Sequence, residues 1–319
     1  MAEKVRMFHA VDIHGSEMVW RKWLSIPKVY KANVLLLCGD LTGKLIIPII
    51  EESPGRYKTM VYGRWINASG EDGLKKLIDK ITFSGFYTHV CSQDEYDELI
   101  KNPKRVDELF RNYMKERLQR WLDMIDEKLP EEVTVVMMPG NDDSFEIDEL
   151  IKAYEDRVIY PLEKVVNICL DYELLSFEWV NPTPWDTPRE APEEELWKKL
   201  ERIKSMFHGD WRKVILNFHC PPYCTKLDLA PKLDKNLKPV VFLGRIIYDN
   251  VGSKAVRRFI EENQPLLSLH GHIHESYASD YIGKTLAINP GSEYSEGVLR
   301  GFVIDLTKDG IEKWWKVEG

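Results

Sequence analysis

Seven side chains in this sequence share a chemistry and a setting. Asp12, His14, Asp40, Asn141, His219, His272 and His274 each offer an oxygen or imidazole lone pair, and each follows closely on a short apolar run. The runs are 5–11, 32–38, 133–138, 213–218 and 266–269. Carboxylate, imidazole and amide oxygen without thiolate is a donor set for borderline-hard divalent ions such as Mn, Fe or Zn. Seven donors are too many for one ion that must keep a position open, but they fit two ions sharing a carboxylate. Two ions ~3.5–4 Å apart can clamp the attacking and leaving oxygens of a displacement at phosphorus. Singly the pieces are weak: Asp-x-His occurs by chance, and Gly-Asp after a strand is often only a turn. The order carries the weight: Asp12-Ile13-His14, Gly39-Asp40, Gly140-Asn141-Asp142-Asp143, His219-Cys220-Pro221-Pro222 and Gly271-His272-Ile273-His274.

The elements that must position them follow from the same runs. Near-continuous apolar segments suit strands of a sheet covered on both faces. Helical spacing lies between them, around Trp20, Trp23 and Leu24 and over 145–157, 193–208 and 252–263. Strands alternating with helices give an α/β fold, in which sites form where the carboxyl ends of strands release their loops. Near the end, 285–288 reads as a strand, and 298–306 and 311–317 flank Asp309-Gly310 as a hairpin. Residues 43–131 are too long for one crossover. They contain a strand or hairpin over 56–66, a helix over 71–81, a loop with Phe86-Tyr87 and a helix over about 104–129. In that last helix Leu109, Tyr113, Leu118, Trp121, Leu122 and Ile125 form an apolar stripe. The segment reads as a mostly helical insertion, a structural elaboration or a lid, within a single domain spanning 1–319.

The ordered motifs resemble the calcineurin-like metallophosphoesterase superfamily, from Asp12 to about Leu306. Asn181-Pro182-Thr183-Pro184-Trp185, Gly252-Ser253 and Asn289-Pro290-Gly291-Ser292 further resemble a less characterised branch of it. The resemblance implies a four-layer α/β/β/α sandwich with two metals at the edge of its sheets. It implies that Asp12, His14 and His274 hold one metal, that Asn141, His219 and His272 hold the other, and that Asp40 bridges them together with a hydroxide that attacks phosphorus in line. One position departs from the pattern. The usual third motif is Gly-Asn-His followed by an acid, and its histidine contacts the phosphate and helps protonate the leaving group. Here Asp142 stands in that place. An ionised Asp142 repels phosphate; it can serve only if protonated or paired with a cation. Asp142 and Asp40 are the expected catalytic residues, and Asn141 and Asp142 the expected substrate contacts. The expected activity is metal-dependent hydrolysis of a small phosphoester, a phosphodiester before a monoester. The alternatives are a phosphomonoesterase acting on a metabolite or phosphoprotein, and a metal-binding scaffold without turnover.

Composition narrows the setting. The chain has 319 residues, 44% hydrophobic and 30% charged, which places it among globular proteins. No run approaches the ~18 apolar residues of a membrane span, and the first residues carry no signal pattern. The net charge of −8 speaks against a duplex nucleic-acid partner, although a local basic channel stays open. Five scattered cysteines read as reduced thiols of a cytoplasmic protein. Cys220 and Cys224 flank a Pro-Pro loop beside His219 but make a weak metal pair without a second pair. His9 and His270 read as strand residues or as partners that orient ligands. Asp142 and Asp143 could also cap the helix beginning near Phe145. Trp185 reads as a packed corner or a pocket wall, and Lys226, Asp228 and Arg300 as possible substrate contacts.

Overall fold

The computed structural model describes residues 4–319. The chain opens with β1 (Lys4–Ala10), α1 (Glu17–Tyr30) and β2 (Val34–Cys38). Residues of the insertion follow: β3 (Ile46–Ser53), β4 (Arg56–Val61), β5 (Arg64–Ser69), α2 (Gly70–Phe83), β6 (Tyr87–Ser92), α3 (Gln93–Lys101) and α4 (Pro103–Lys128). The chain returns through β7 (Thr134–Met138), α5 (Glu146–Lys152), β8 (Val166–Cys169), β9 (Tyr172–Phe177), α6 (Glu193–Ser205) and β10 (Val214–Phe218). Short ladders then join β11 (Leu229–Pro231) to β14 (Tyr248–Asn250) and β12 (Val241–Phe242) to β13 (Arg245–Ile246). Last come α7 (Lys254–Asn263), β15 (Leu267–Leu269), β16 (Ala278–Ile282), β17 (Thr285–Asn289), β18 (Arg300–Thr307) and β19 (Gly310–Glu318).

Two sheets form the centre, in the orders β19-β18-β1-β2-β7 and β16-β17-β15-β10-β9-β8. β1, β2 and β7 are mutually parallel, as are β9, β10, β15 and β17, so the carboxyl ends of each set leave their sheet at one edge. Alternation along the strands divides the core. Tyr172, Leu174, Ile215, Leu267, Leu269, Leu286 and Ile288 join one apolar cluster with the first sheet and with α1, α4 and α5. Their neighbours Leu175, Phe177, Val214, Leu216, Phe218 and Ala287 join another with α6 and α7. Period-2 burial on both faces of the second sheet gives helix, sheet, sheet, helix, the expected four-layer sandwich. Helix boundaries follow local chemistry. Ser253 caps α7 by accepting from the Val256 amide, and Gln264 closes it in the left-handed region. Asn102 caps α4, with Pro103 at its first position.

The insertion carries a sheet of its own, in the order β5-β4-β3-β6, where only a strand or hairpin over 56–66 was expected; β4 and β5 form that hairpin. β3 and β6 were missed, as were β8, β9 and β16. Its small core is Ile49, Leu77 and Ile81. The second half of α4 belongs to the main core instead: Trp121 stacks on Trp20 with centroids 4.8 Å apart, and Trp20 on Trp23 at 5.1 Å. Buried Arg117 pins the insertion to the loop after β1. It donates to the carbonyls of Gly15 (2.8 Å), Gly85 (3.1 Å) and Phe86 (2.9 Å), and lies over the Tyr87 ring. The Tyr87 hydroxyl accepts from the Gly43 amide at 2.9 Å, which ties the insertion to the loop after β2 as well. Replacing Arg117 by Met keeps the stem but strands three buried carbonyls. A loss of about 3 kcal/mol in urea unfolding is expected; an unchanged midpoint would show that the clamp carries no stability.

Candidate metal centre

The strand ends deliver six of the seven expected donors to one buried cluster, and place the seventh against it. Asp12 and His14 follow β1, Asp40 follows β2, Asn141 follows β7, His219 follows β10, and His272 and His274 follow β15. Asp12, His14 and His274 offer ligand atoms within 4.8 Å of one another, and so do Asp40, His219 and His272. The Asp40 carboxylate lies between the two groups: its Oδ2 is 3.7 Å from His14 Nε2 and 3.5 Å from His219 Nε2. His14 Nε2 and His274 Nε2 face each other at 3.1 Å. His219 Nε2 is 3.0 Å from Asn141 Oδ1 and 3.7 Å from Asp12 Oδ1.

This convergence is built with unusual backbone. Asp12 (φ 52°), His14 (φ 40°), Asp40 (φ 50°) and His272 (φ 67°) all occupy the left-handed region. Such conformations cost of order 1 kcal/mol or more each in side chains with a Cβ and persist where surrounding structure over-determines them. Glycine makes room for the approach. A Cβ on Gly140 would stand 2.2 Å from Asp40 Oδ1, and one on Gly39 2.0 Å from His219 Nδ1. Buried Asp143 holds the two loops together, accepting from the amides of Leu41, Thr42 and Gly140 and from the Thr42 hydroxyl, at 2.6–2.9 Å. It is neither a helix cap nor a cluster member.

Charge within the cluster favours a cation. Burial raises the Asp12 carboxyl to about 8, with Asp40 pushing the same way and His219 opposing. Burial would lower His219, but Asp40 and Asp12 outweigh it and raise the ring to about 9. Burial would likewise raise Asp40, yet His219 and His14 hold it well below the usual range. For His274, burial first and the Lys44 charge second bring the ring down to about 3, and burial followed by His219 does the same for His272. Both rings are therefore neutral, with lone pairs available as ligands. Asp12 Oδ1 and His14 Nδ1 are buried without a hydrogen-bond partner. Two aspartate carboxyls, the neutral rings of His272 and His274 and an orphaned oxygen are a donor set that fits divalent cations, whose charge would displace the protons that burial leaves on Asp12 and His219.

Asn141 is oriented by a chain that sequence reasoning did not find. The Thr187 hydroxyl donates its one proton to Glu190 Oε1 at 2.6 Å, so it accepts from Asn141 Nδ2 at 2.9 Å. The amide oxygen is thereby turned to His219. Glu190 also accepts from the amides of Thr183 and Thr187. The only sequence signal was the proline-stiffened stretch beginning at Asn181. Its Trp185 is 63% exposed, which excludes a packed corner.

Asp142 is at the rim. Its amide donates to Asp40 Oδ1 at 2.9 Å, and its Oδ2 lies 3.9 Å from His14 Nδ1 and 2.5 Å from Lys44 Nζ. Burial and then the Asp40 charge raise its carboxyl to about 6, against the pull of Lys44. His9 and His270 stay outside the groups. His9 Nε2 meets the His270 carbonyl at 3.0 Å, and His270 contacts the carbonyls of Phe218 and Cys220. Arg300 pairs with Glu293 and Glu318, and buried Asp228 braces the amides of Cys224, Thr225 and Gly252, so these two serve the local structure, while exposed Lys226 lies 3.7 Å from Asp280. Cys220 is buried and Cys224 exposed, and neither joins a metal group among the described residues.

The sandwich and its paired Asp/His groups define a class, and comparison supplies its name. A family model for calcineurin-like phosphoesterase matches residues 106–276, more than half of the chain, and the chain belongs to that family. The matched stretch carries Asn141, His219, His272 and His274; Asp12, His14 and Asp40 precede it. Membership places the chain among the metallophosphoesterases, and its Asp/His groups fit the divalent ions that this class uses. It is similar to the uncharacterized protein MJ1162 of Methanocaldococcus jannaschii, with 31% identity over 165 residues. That match covers 51% of this chain and 66% of the relative, just under two thirds of the relative's length. One crystal structure superposes over 100% of this chain and 99% of its own with a TM-score of 0.58 at 16% identity, a likeness of fold. TT1561 of Thermus thermophilus aligns over 94% of both chains at 13% identity with a TM-score of 0.48.

If Glu190 orients Asn141, then Glu190→Gln, which cannot accept from every donor facing it, weakens binding at the group that includes Asn141. Calorimetric titration with Mn²⁺ is expected to show one of two sites weakened about 10- to 100-fold. Two unchanged sites would remove Glu190 from this role.

Proposed function

We propose that the protein is a phosphodiesterase acting on small phosphodiesters. In this reading Asp12, His14 and His274 hold one divalent cation, Asn141, His219 and His272 the other, and Asp40 lies between them. When bound, two such cations (Mn, Fe or Zn) supply Lewis-acid charge at phosphorus and a water acidified enough to attack near neutral pH.

The carrying observation is Asp142. A carboxylate rather than an imidazole borders the cluster, ion-paired to Lys44 at 2.5 Å. Of the two ways in which Asp142 could serve, the pairing supports the cationic one. An ionised, lysine-bound carboxylate has no proton to give a leaving oxygen. It also opposes the second negative charge that a monoester carries above a pKa of about 6, a charge a diester lacks. Asn141, with its oxygen turned inward, brings a neutral donor that adds no repulsion. The pattern supports esters whose leaving group departs without strong protonation.

The insertion 43–131 is proposed as a lid that limits substrate size. The β4–β5 turn carries Tyr62, which is 74% exposed. Ser84 of the insertion donates to the Ser295 carbonyl at 3.3 Å, beside Tyr294, whose ring lies 4.7 Å from that of His14 at the cluster. Five free thiols fit a reducing compartment, and a cytoplasmic location is proposed on that ground. Among the described residues, no helix is long and apolar enough to cross a membrane.

With Mn²⁺, bis-p-nitrophenyl phosphate is expected to be hydrolysed faster than p-nitrophenyl phosphate. Excess EDTA should abolish turnover and Mn²⁺ restore it, and Asp40→Asn should lower it by at least about 100-fold. Faster monoester turnover would overturn the diester reading, and activity that survives chelation and desalting would overturn the metal mechanism.

A further inference from the structure

Lys44 is absent from the expected ligand set and from every motif. It follows Gly39-Asp40-Leu41-Thr42-Gly43, and the backbone is held at the two residues before it and at Leu45, whose carbonyl accepts from the Tyr87 amide at 2.9 Å. Asp143 accepts from the Thr42 amide, and Tyr87 from the Gly43 amide, both at 2.9 Å. Asp143 also accepts from Gly140, two residues before Asp142. One buried carboxylate thus sets the spacing between the loop that carries Lys44 and the loop that carries Asp142. Their contact at 2.5 Å is a consequence of loop geometry rather than a chance pairing of surface side chains, which ordinarily contributes little.

The pair stands at the open side of the metal centre. The Lys44 side chain is 40% exposed and that of Asp142 19%, while Asp12, His14 and Asp40 behind them are buried. An ammonium has three donors; Asp142 takes one, leaving two for a solute. Asp142 Oδ2 is also 3.9 Å from His14 Nδ1, so an anion bound on the His14 side of the cluster lies beside the pair. Without Lys44, that anion would meet an uncompensated carboxylate.

We propose that Lys44, held in place by Asp142, binds a non-bridging oxygen of the substrate's phosphoryl group. Lys44 is the substrate contact, and Asp142 is a positioning residue acting through it. The proposal rests on the phosphoesterase reading for its substrate, but it concerns binding of a phosphate oxyanion and involves no proton transfer.

The test uses Mn²⁺-loaded full-length protein and inorganic phosphate, by calorimetry, beside hydrolysis of bis-p-nitrophenyl phosphate. Lys44→Met is expected to raise the phosphate Kd about tenfold or more and lower kcat/KM further, with Lys44→Arg recovering part of both. Asp142→Asn added to Lys44→Met should tighten phosphate again by removing the exposed carboxylate, a gain that a purely structural role would not give. A thermal-unfolding midpoint near that of the native protein guards against misfolding. A Kd within twofold of native in Lys44→Met, or no phosphate binding by the native protein, overturns the proposal. Weakened phosphate binding in Lys44→Met, beside a native protein that hydrolyses no ester, would instead sink the hydrolase reading and leave Lys44 as an oxyanion contact.

Discussion

Burying Asp12 and Asp40 within one cluster is the constraint on which the rest of this structure turns. Each buried carboxylate costs several kcal/mol unless positive charge and hydrogen-bond donors meet it. Backbone donors meet part of the demand: the His272 amide donates to Asp12, and the Asp142 amide to Asp40. His219 meets another part, with its ring raised to about 9 by the two carboxylates despite its burial. Asp12 Oδ1 still has no donor. Two divalent cations would answer the same demand with more charge, which is why a metal centre is the natural state of this arrangement. A fold selected only for stability has no reason to keep these groups facing one another.

Holding them there consumes much of the remaining buried polarity. Asn289 donates to the carbonyls of Gly271 and Ile273, fixing the loop that presents His272 and His274. Asp143 joins the loops after β2 and β7, Asp228 braces the segment after His219, and Arg117 ties the loop after β1 to the insertion. Asn289, Asp143 and Arg117 bridge segments distant in sequence, as Asp228 does through the Gly252 amide, and each is fully or nearly fully buried. The left-handed residues Asp12, His14, Asp40 and His272 are stable only because these bridges leave the loops no alternative.

What the sequence revealed and what it hid follow from this division. The donors were legible because each follows an apolar run, and a strand that stops at a chelating residue is visible one segment at a time. The helices α2, α4, α6 and α7 were legible from their spacing, and the β18–β19 hairpin from Asp309-Gly310. β8 and β16 were not, because their burial depends on a neighbouring strand; nor was the sheet of the insertion, whose β3 and β6 pair across forty residues. The bracing residues were hidden for the same reason. Asp143 looked like a helix cap, and Asp228 and Arg300 like substrate contacts, because an isolated charge does not announce a partner many residues away. Thr187 and Glu190 carried no signal beyond the proline-stiffened stretch before them, because their effect reaches the cluster only through Asn141.

The rim shows how the chemistry of one loop can depend on another. A carboxylate at 142 placed alone beside the His14 group would add negative charge to a site that must receive an anion. It is tolerable here because Lys44 is delivered to it by a loop ninety-eight residues earlier in the chain, and because Asp143 keeps both loops in register. The pair is close to neutral as a unit, so the rim brings in a cation without adding net charge. It trades a group able to pass a proton for one able only to hold an oxygen. That trade shifts the burden of departure onto the leaving group and onto the cations. In the proposed reading, substrate preference is decided at the rim by Lys44 and Asp142, while the buried donors decide only that phosphorus chemistry can occur.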